Sequence, residues 1–181
     1  MKNLIFIVVV SSVYTACQGT TTASKENAAN SAGTSSGTSS ISFPYTAEFT
    51  SKFSIGKDSN SLLVLNLYKA LEANDMNALA NVLADSVNLN FADGSTFSGS
   101  RDSVIAMTKK YRDSLSSIKF DFDAWIPVHA DDKNGDAVLT WYKETDTYKN
   151  GKVDSIYFHD INGIKDGKVD FLESMSRKLK K

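Results

Sequence analysis

Residues Ile118 to His129 read IKFDFDAWIPVH. Ile118, Phe120, Phe122, Ala124, Ile126 and Val128 alternate with Lys119, Asp121, Asp123, Trp125, Pro127 and His129, and a period of two over this length predicts a long strand with one face on a core. Downstream, Asn134-Gly135, Asn150-Gly151 and Asp166-Gly167 mark tight turns, because Asn, Asp and Gly accept the positive φ that such turns demand. They divide the chain into three further strands, over approximately Asp136 to Tyr148, Lys152 to Asn162 and Lys168 to Ser176. With Asn150-Gly151 as a two-residue loop, Lys149 faces Lys152, Glu144 faces Tyr157 and Tyr142 faces His159. Opposed residues share a face, so this register gathers Tyr142, Tyr157 and His159 on one side and Leu139, Trp141, Ile156 and Phe158 on the other. Both sides are apolar enough to need covering.

Upstream of the strands the period changes to that of helices. Ser61 to Ala73, SLLVLNLYKALEA, is apolar around most of its circumference, which predicts an enclosed helix. Asp75 is placed to cap a second helix through MNALANVLA, where Met76, Leu79, Ala80 and Leu83 recur at helical spacing. Val87 to Phe91 alternates as a short strand, Asp93-Gly94 turns it, and Thr96-Phe97 begins a return. Ser100 caps a third helix to about Leu115 with Val104, Met107 and Tyr111 on one stripe. Helices first and an antiparallel meander afterwards make an α+β domain spanning 43–181.

The chain begins MKNLIFIVVVSSVYTAC, one Lys, an apolar run and then small polar residues, which is the pattern of a secretory signal over residues 1–16. The apolar run is too short for a membrane-spanning helix, which needs roughly 20 residues. Tyr14-Thr15-Ala16-Cys17 resembles the lipobox of bacterial lipoproteins, although that family favours Leu where Tyr14 stands. The resemblance implies a lipid on Cys17, a chain anchored to the membrane only through that lipid, and a place in the bacterial cell envelope on its periplasmic or surface side. Cys17 is the only cysteine, so an intramolecular disulfide is excluded and a catalytic thiol has no support. From residue 17 to 42 the chain is almost wholly Ser, Thr, Ala, Gly and Asn, too poor in apolar surface to offset the entropy of ordering it, and reads as a linker.

The whole chain of 181 residues is 41% hydrophobic and carries a formal net charge of −1. It has no basic field able to neutralise a row of phosphates, which argues against nucleic acid as a partner. Two isolated histidines, His129 and His159, do not have the spacing of a metal site, and Asp132 to Asp136 lacks the Gly and Glu that a calcium hand needs at Ala137 and Lys143. No metal or other cofactor is expected. His129 sits beside Asp131 and Asp132 and reads as a solvated turn residue.

LYKALEANDMNALANVLADSV at the helical start, FADGSTFSGS before the third helix and FHDINGIKDGKV before the last strand resemble the nuclear transport factor 2-like superfamily, which includes the SnoaL-like polyketide cyclases and the ketosteroid isomerases. The resemblance implies a cone-shaped curved antiparallel sheet packed on three N-terminal helices, with a pocket for a small apolar or aromatic molecule. It places the general base of ketosteroid isomerase at about Asn90 or Phe91, neither of which accepts a proton usefully, and this argues against that activity. The oxyanion-binding tyrosine falls at Leu67, or at Tyr68 after a shift of one, and the second oxyanion group, a protonated acid, falls at His159. Tyr68, Tyr142, Tyr157 and His159 are therefore the expected pocket residues. Three functions follow: a non-catalytic small-molecule-binding domain first, an acid–base enzyme using His159 second, and a dimeric interaction or scaffold domain third. His159 as a silent core residue stands beside all of them. A homodimer through the sheet is expected, because three helices cannot cover both of its faces.

Overall fold

The structure is a computed structural model that describes residues 42–178. The expected signal peptide, Cys17 and the linker up to residue 41 lie outside the described residues. The described elements are β1 (Phe53–Ile55), α1 (Asp58–Ala73), α2 (Met76–Val82), β2 (Leu83–Asn90), β3 (Thr96–Ser100), α3 (Arg101–Ser114), β4 (Leu115–Ala130), β5 (Gly135–Tyr148), β6 (Val153–Lys165) and β7 (Lys168–Lys178). Among the described residues no helix is long and apolar enough to cross a membrane.

The helices begin and end where their capping residues dictate. Asn74 leaves α1 in the left-handed region at φ 55° and its backbone N–H returns to the carbonyls of Ala70 and Leu71. The Asp75 side chain accepts from the Ala78 N–H at 2.9 Å, and Ser100 accepts from the Ser103 N–H at 3.3 Å. Both expected N-caps are present.

One seven-stranded sheet, in the order β1-β4-β5-β6-β7-β2-β3, curls around the helices without closing. β2 runs parallel to β7 and the other neighbours are antiparallel. α1 lies on β4, β5 and β7, and α3 lies on β2 and β4. Val64, Leu79, Val87, Val104, Ile118 and Val138, drawn from all three helices and from β2, β4 and β5, form part of the buried core on that concave side. This is the expected α+β arrangement, with β1 as an added edge strand that its three residues, FSI, were too few to announce.

Two details of the meander correct the sequence reading, and both are matters of register. In β4 the pairing with β5 shifts between Phe122 and Ala124, so that Phe122 pairs with Tyr142 and Ala124 with Trp141. The extra residue is Asp123, a bulge that reverses the alternation. Ile118, Phe120 and Phe122 face the helices, whereas Ala124, Ile126 and Val128 lie on the other face. In the β5–β6 hairpin, Tyr148 N–H bonds to Lys152 O at 2.8 Å and Gly151 N–H to Tyr148 O at 2.9 Å. Lys149, Asn150 and Gly151 thus form a three-residue loop with Gly151 at φ 83°, a geometry that a side chain there would oppose. Trp141 now faces His159, Tyr142 faces Phe158 and Lys143 faces Tyr157. Only Asp166-Gly167, both at positive φ between the paired Lys165 and Lys168, is a two-residue loop of the expected kind.

Candidate functional site

A slip of one residue in a strand exchanges its two faces, and here it decides which groups meet at the site. The concave face of the sheet receives Tyr142 and Glu144 from β5 and Phe158, Asp160 and Asn162 from β6. Between this face and the helices lies a cavity of about 380 Å³, walled mostly by apolar side chains such as Leu67, Leu71, Val87, Val104, Phe120 and Leu172. Tyr68 and Tyr142, both expected in the pocket, line it.

Tyr68 reaches the cavity because it follows Val64 by one helical turn on the buried stripe of α1. Its ring packs edge-on against Phe120, at 5.1 Å between centroids, and against Tyr142, at 5.0 Å. Its hydroxyl donates to Asp160 Oδ2 at 2.8 Å, and the Tyr142 hydroxyl donates to the same oxygen at 2.7 Å. Ser174, from β7, donates to Asp160 Oδ1 at 2.8 Å. Asp160 is only 1% exposed. Burial outweighs these three donors and holds its carboxyl above the ordinary value. The same burial, with Asp160 alongside, pushes the phenols of Tyr68 and Tyr142 well up, so they remain donors.

A second acidic group lies on the same face of β5. Burial, reinforced by the negative charge of Asp146, raises Glu144 to about 7. Tyr111, from α3, donates to Glu144 Oε1 at 3.2 Å and makes a shorter contact with Asp146 Oδ2. Burial also raises Asp146, partly offset by Tyr111 and by the guanidinium of Arg112. One phenolic proton serves two carboxylates, so a further proton on Glu144 satisfies the pair. The cavity therefore holds an acid able to take up or release a proton near neutral pH.

Tyr157 and His159 do not reach this cavity. They lie on the convex face of the sheet, where the imidazole of His159 stacks on Trp141 at 4.5 Å and Arg177 lies over the Tyr157 ring at 4.9 Å. These four residues, with Asp123 and Met175, border a shallower groove of about 260 Å³. The His129 Nδ1–H donates to Asp136 Oδ1 across the β4–β5 hairpin, at 2.8 Å, instead of standing free beside Asp131 and Asp132. The resemblance to ketosteroid isomerase had aligned its two oxyanion groups with Leu67 and His159. In the structure the residue that follows each of them, Tyr68 and Asp160, meets its counterpart across the cavity. Asp160 and Glu144 were missed; for Asp160 the signal was the Lys149-Asn150-Gly151 sequence, in which Gly at the third position of a hairpin loop fits a bulged turn as well as a two-residue one.

No protein-family model and no curated protein sequence matches the chain. Solved structures do. An LEH-like epoxide hydrolase from M. tuberculosis is 13% identical with a TM-score of 0.56, covering 66% of this chain and 84% of its own. An NTF2-like protein of unknown function from Burkholderia pseudomallei is 20% identical with a TM-score of 0.54, over 66% of this chain and 91% of its own. A candidate ketosteroid isomerase from Kribbella flavida is 10% identical with a TM-score of 0.53, over 70% of this chain and 84% of its own. At such identities the likeness concerns backbone architecture and leaves chemistry to the side chains. Three helices held in a curled, unclosed sheet, with these neighbours, give the described residues the nuclear transport factor 2-like fold.

Proposed function

We propose that this domain binds one small, largely apolar molecule in the concave cavity and presents it from the cell envelope on a lipid-anchored linker. The observation that carries the reading is an apolar cavity of about 380 Å³ into which Asp160 is fixed by three hydroxyl groups. Apolar walls supply affinity without direction, and a few fixed polar groups supply orientation. The anchor is Cys17, and the linker through residue 42 is its tether. A second copy of the chain covers the convex face, where Met175 is 45% exposed and the buried His159 Nε2 has no hydrogen-bond partner among the described residues.

The test is binding of a neutral environment-sensitive dye, Nile red, to the full chain. Wild type is expected to bind and brighten it, and Leu172→Trp, which fills the cavity, to lose the response while still unfolding cooperatively. Equal responses from the two proteins would remove the cavity as the binding site. Glu144 supports a second reading, acid–base chemistry on the bound molecule, because an acid raised to about 7 is matched to proton transfer at neutral pH. In that reading Glu144, and not His159, is the proton carrier.

A further inference from the structure

We infer that the molecule held in the cavity is an apolar amine, whose ammonium group pairs with Glu144. This inference rests on the binding reading above and names its ligand class. Among the described residues, Glu144 and Asp160 are the only charged side chains lining the cavity; no Lys, Arg or His lines it. A ligand carboxylate or phosphate would enter beside two acids with no cation to receive it.

The hydrogen-bonding inventory points the same way. Tyr68, Tyr142 and Ser174 already donate to Asp160, and Tyr111 already donates to Glu144 and Asp146. The Asn162 amide donates to Val138 O at 3.2 Å. Of the described lining groups, once Glu144 has ionised, only the Thr108 hydroxyl keeps a donor to spare. Acceptors are left over: Asn162 is fully buried, and its Oδ1 has no partner among the described residues. Glu144 and Asp146 share the single Tyr111 hydroxyl and lie against each other, so an ionised Glu144 has fewer donors than its two oxygens can accept. A guest that brings N–H donors and positive charge satisfies both shortages. The aromatic faces of Tyr68, Phe120, Tyr142 and Phe158 are further favourable surroundings for a cation.

The experiment is calorimetric titration of the full chain at pH 8 with three probes of one shape: phenylbutylamine, phenylbutanol and phenylbutyrate. Wild type is expected to bind the amine at least about tenfold more tightly than the alcohol, and the carboxylate most weakly. Glu144→Gln should abolish the preference, bringing the ratio of amine to alcohol affinity to about one. The inference is overturned if the alcohol or the carboxylate binds as tightly as the amine, or if Glu144→Gln retains the preference. If none of the three binds, the binding reading falls together with it, whereas binding of the alcohol without preference for the amine overturns the ligand class alone.

Discussion

Replacing Glu144 by Gln tests the electrostatics of the cavity through stability alone. The free carboxyl value is 4.5 and the folded one about 7. A folded value above the unfolded one means that the native state holds the proton more tightly. The associated stability is therefore full below about pH 4.5 and is lost as pH rises to about 7. At ~1.4 kcal/mol per pH unit the whole loss is about 3 kcal/mol, of which some 2–3 kcal/mol falls between pH 5 and pH 8. Glu144→Gln keeps the shape and the hydrogen bonds to Tyr111 and Asp146 but cannot ionise. Its stability should consequently fall less steeply over that range, leaving it more stable than wild type at pH 8 by about 2–3 kcal/mol, or roughly 8 °C in Tm. Urea unfolding followed by tryptophan fluorescence at several pH values measures both curves. Parallel curves for the two proteins would refute the argument that Glu144 is buried and held protonated.

Three other outcomes follow from the same geometry. Tyr142→Phe removes a donor to the buried Asp160 and should cost about 1–3 kcal/mol in urea unfolding, whereas Tyr157→Phe, on the convex face, should stay within ~0.5 kcal/mol; equal costs would contradict the corrected register. Wild type should enter the detergent phase in a detergent-partition experiment and Cys17→Ser should not, and a wild type that stays in the aqueous phase would rule out the lipid. Sedimentation should find a dimer at tens of micromolar, where an interface with Kd near ~1 μM is mostly associated, and Trp141→Glu should shift it to monomer; a wild-type monomer at that concentration would remove the proposed interface.

The sequence made the elements legible and left their register ambiguous. Helix starts at Asp75 and Ser100 could be read because capping is local chemistry. The period of two in β4 announced a strand but not the bulge at Asp123, which is a property of its pairing with β5. The hairpin at Asn150-Gly151 was placed correctly, yet its loop length hung on whether Lys149 belongs to the turn. That choice exchanged His159 for Asp160 at the cavity. Tyr68 was reachable only through the resemblance, as the alternative to Leu67 after a shift of one, while Glu144 gave no local sign of its role, since its raised value comes from burial and from Asp146 and Asp160 around it, against the Tyr111 hydrogen bond that lowers it.

The claim that the cavity holds a small apolar molecule is tested most directly by native mass spectrometry of the full chain purified, in mild detergent, from the cells that make it. Wild type is expected to retain a non-covalent adduct on the order of a few hundred daltons that leaves on gentle activation, and Leu172→Trp purified alongside should appear without it. Bare chain mass from both proteins, or the same adduct on both, would contradict the account.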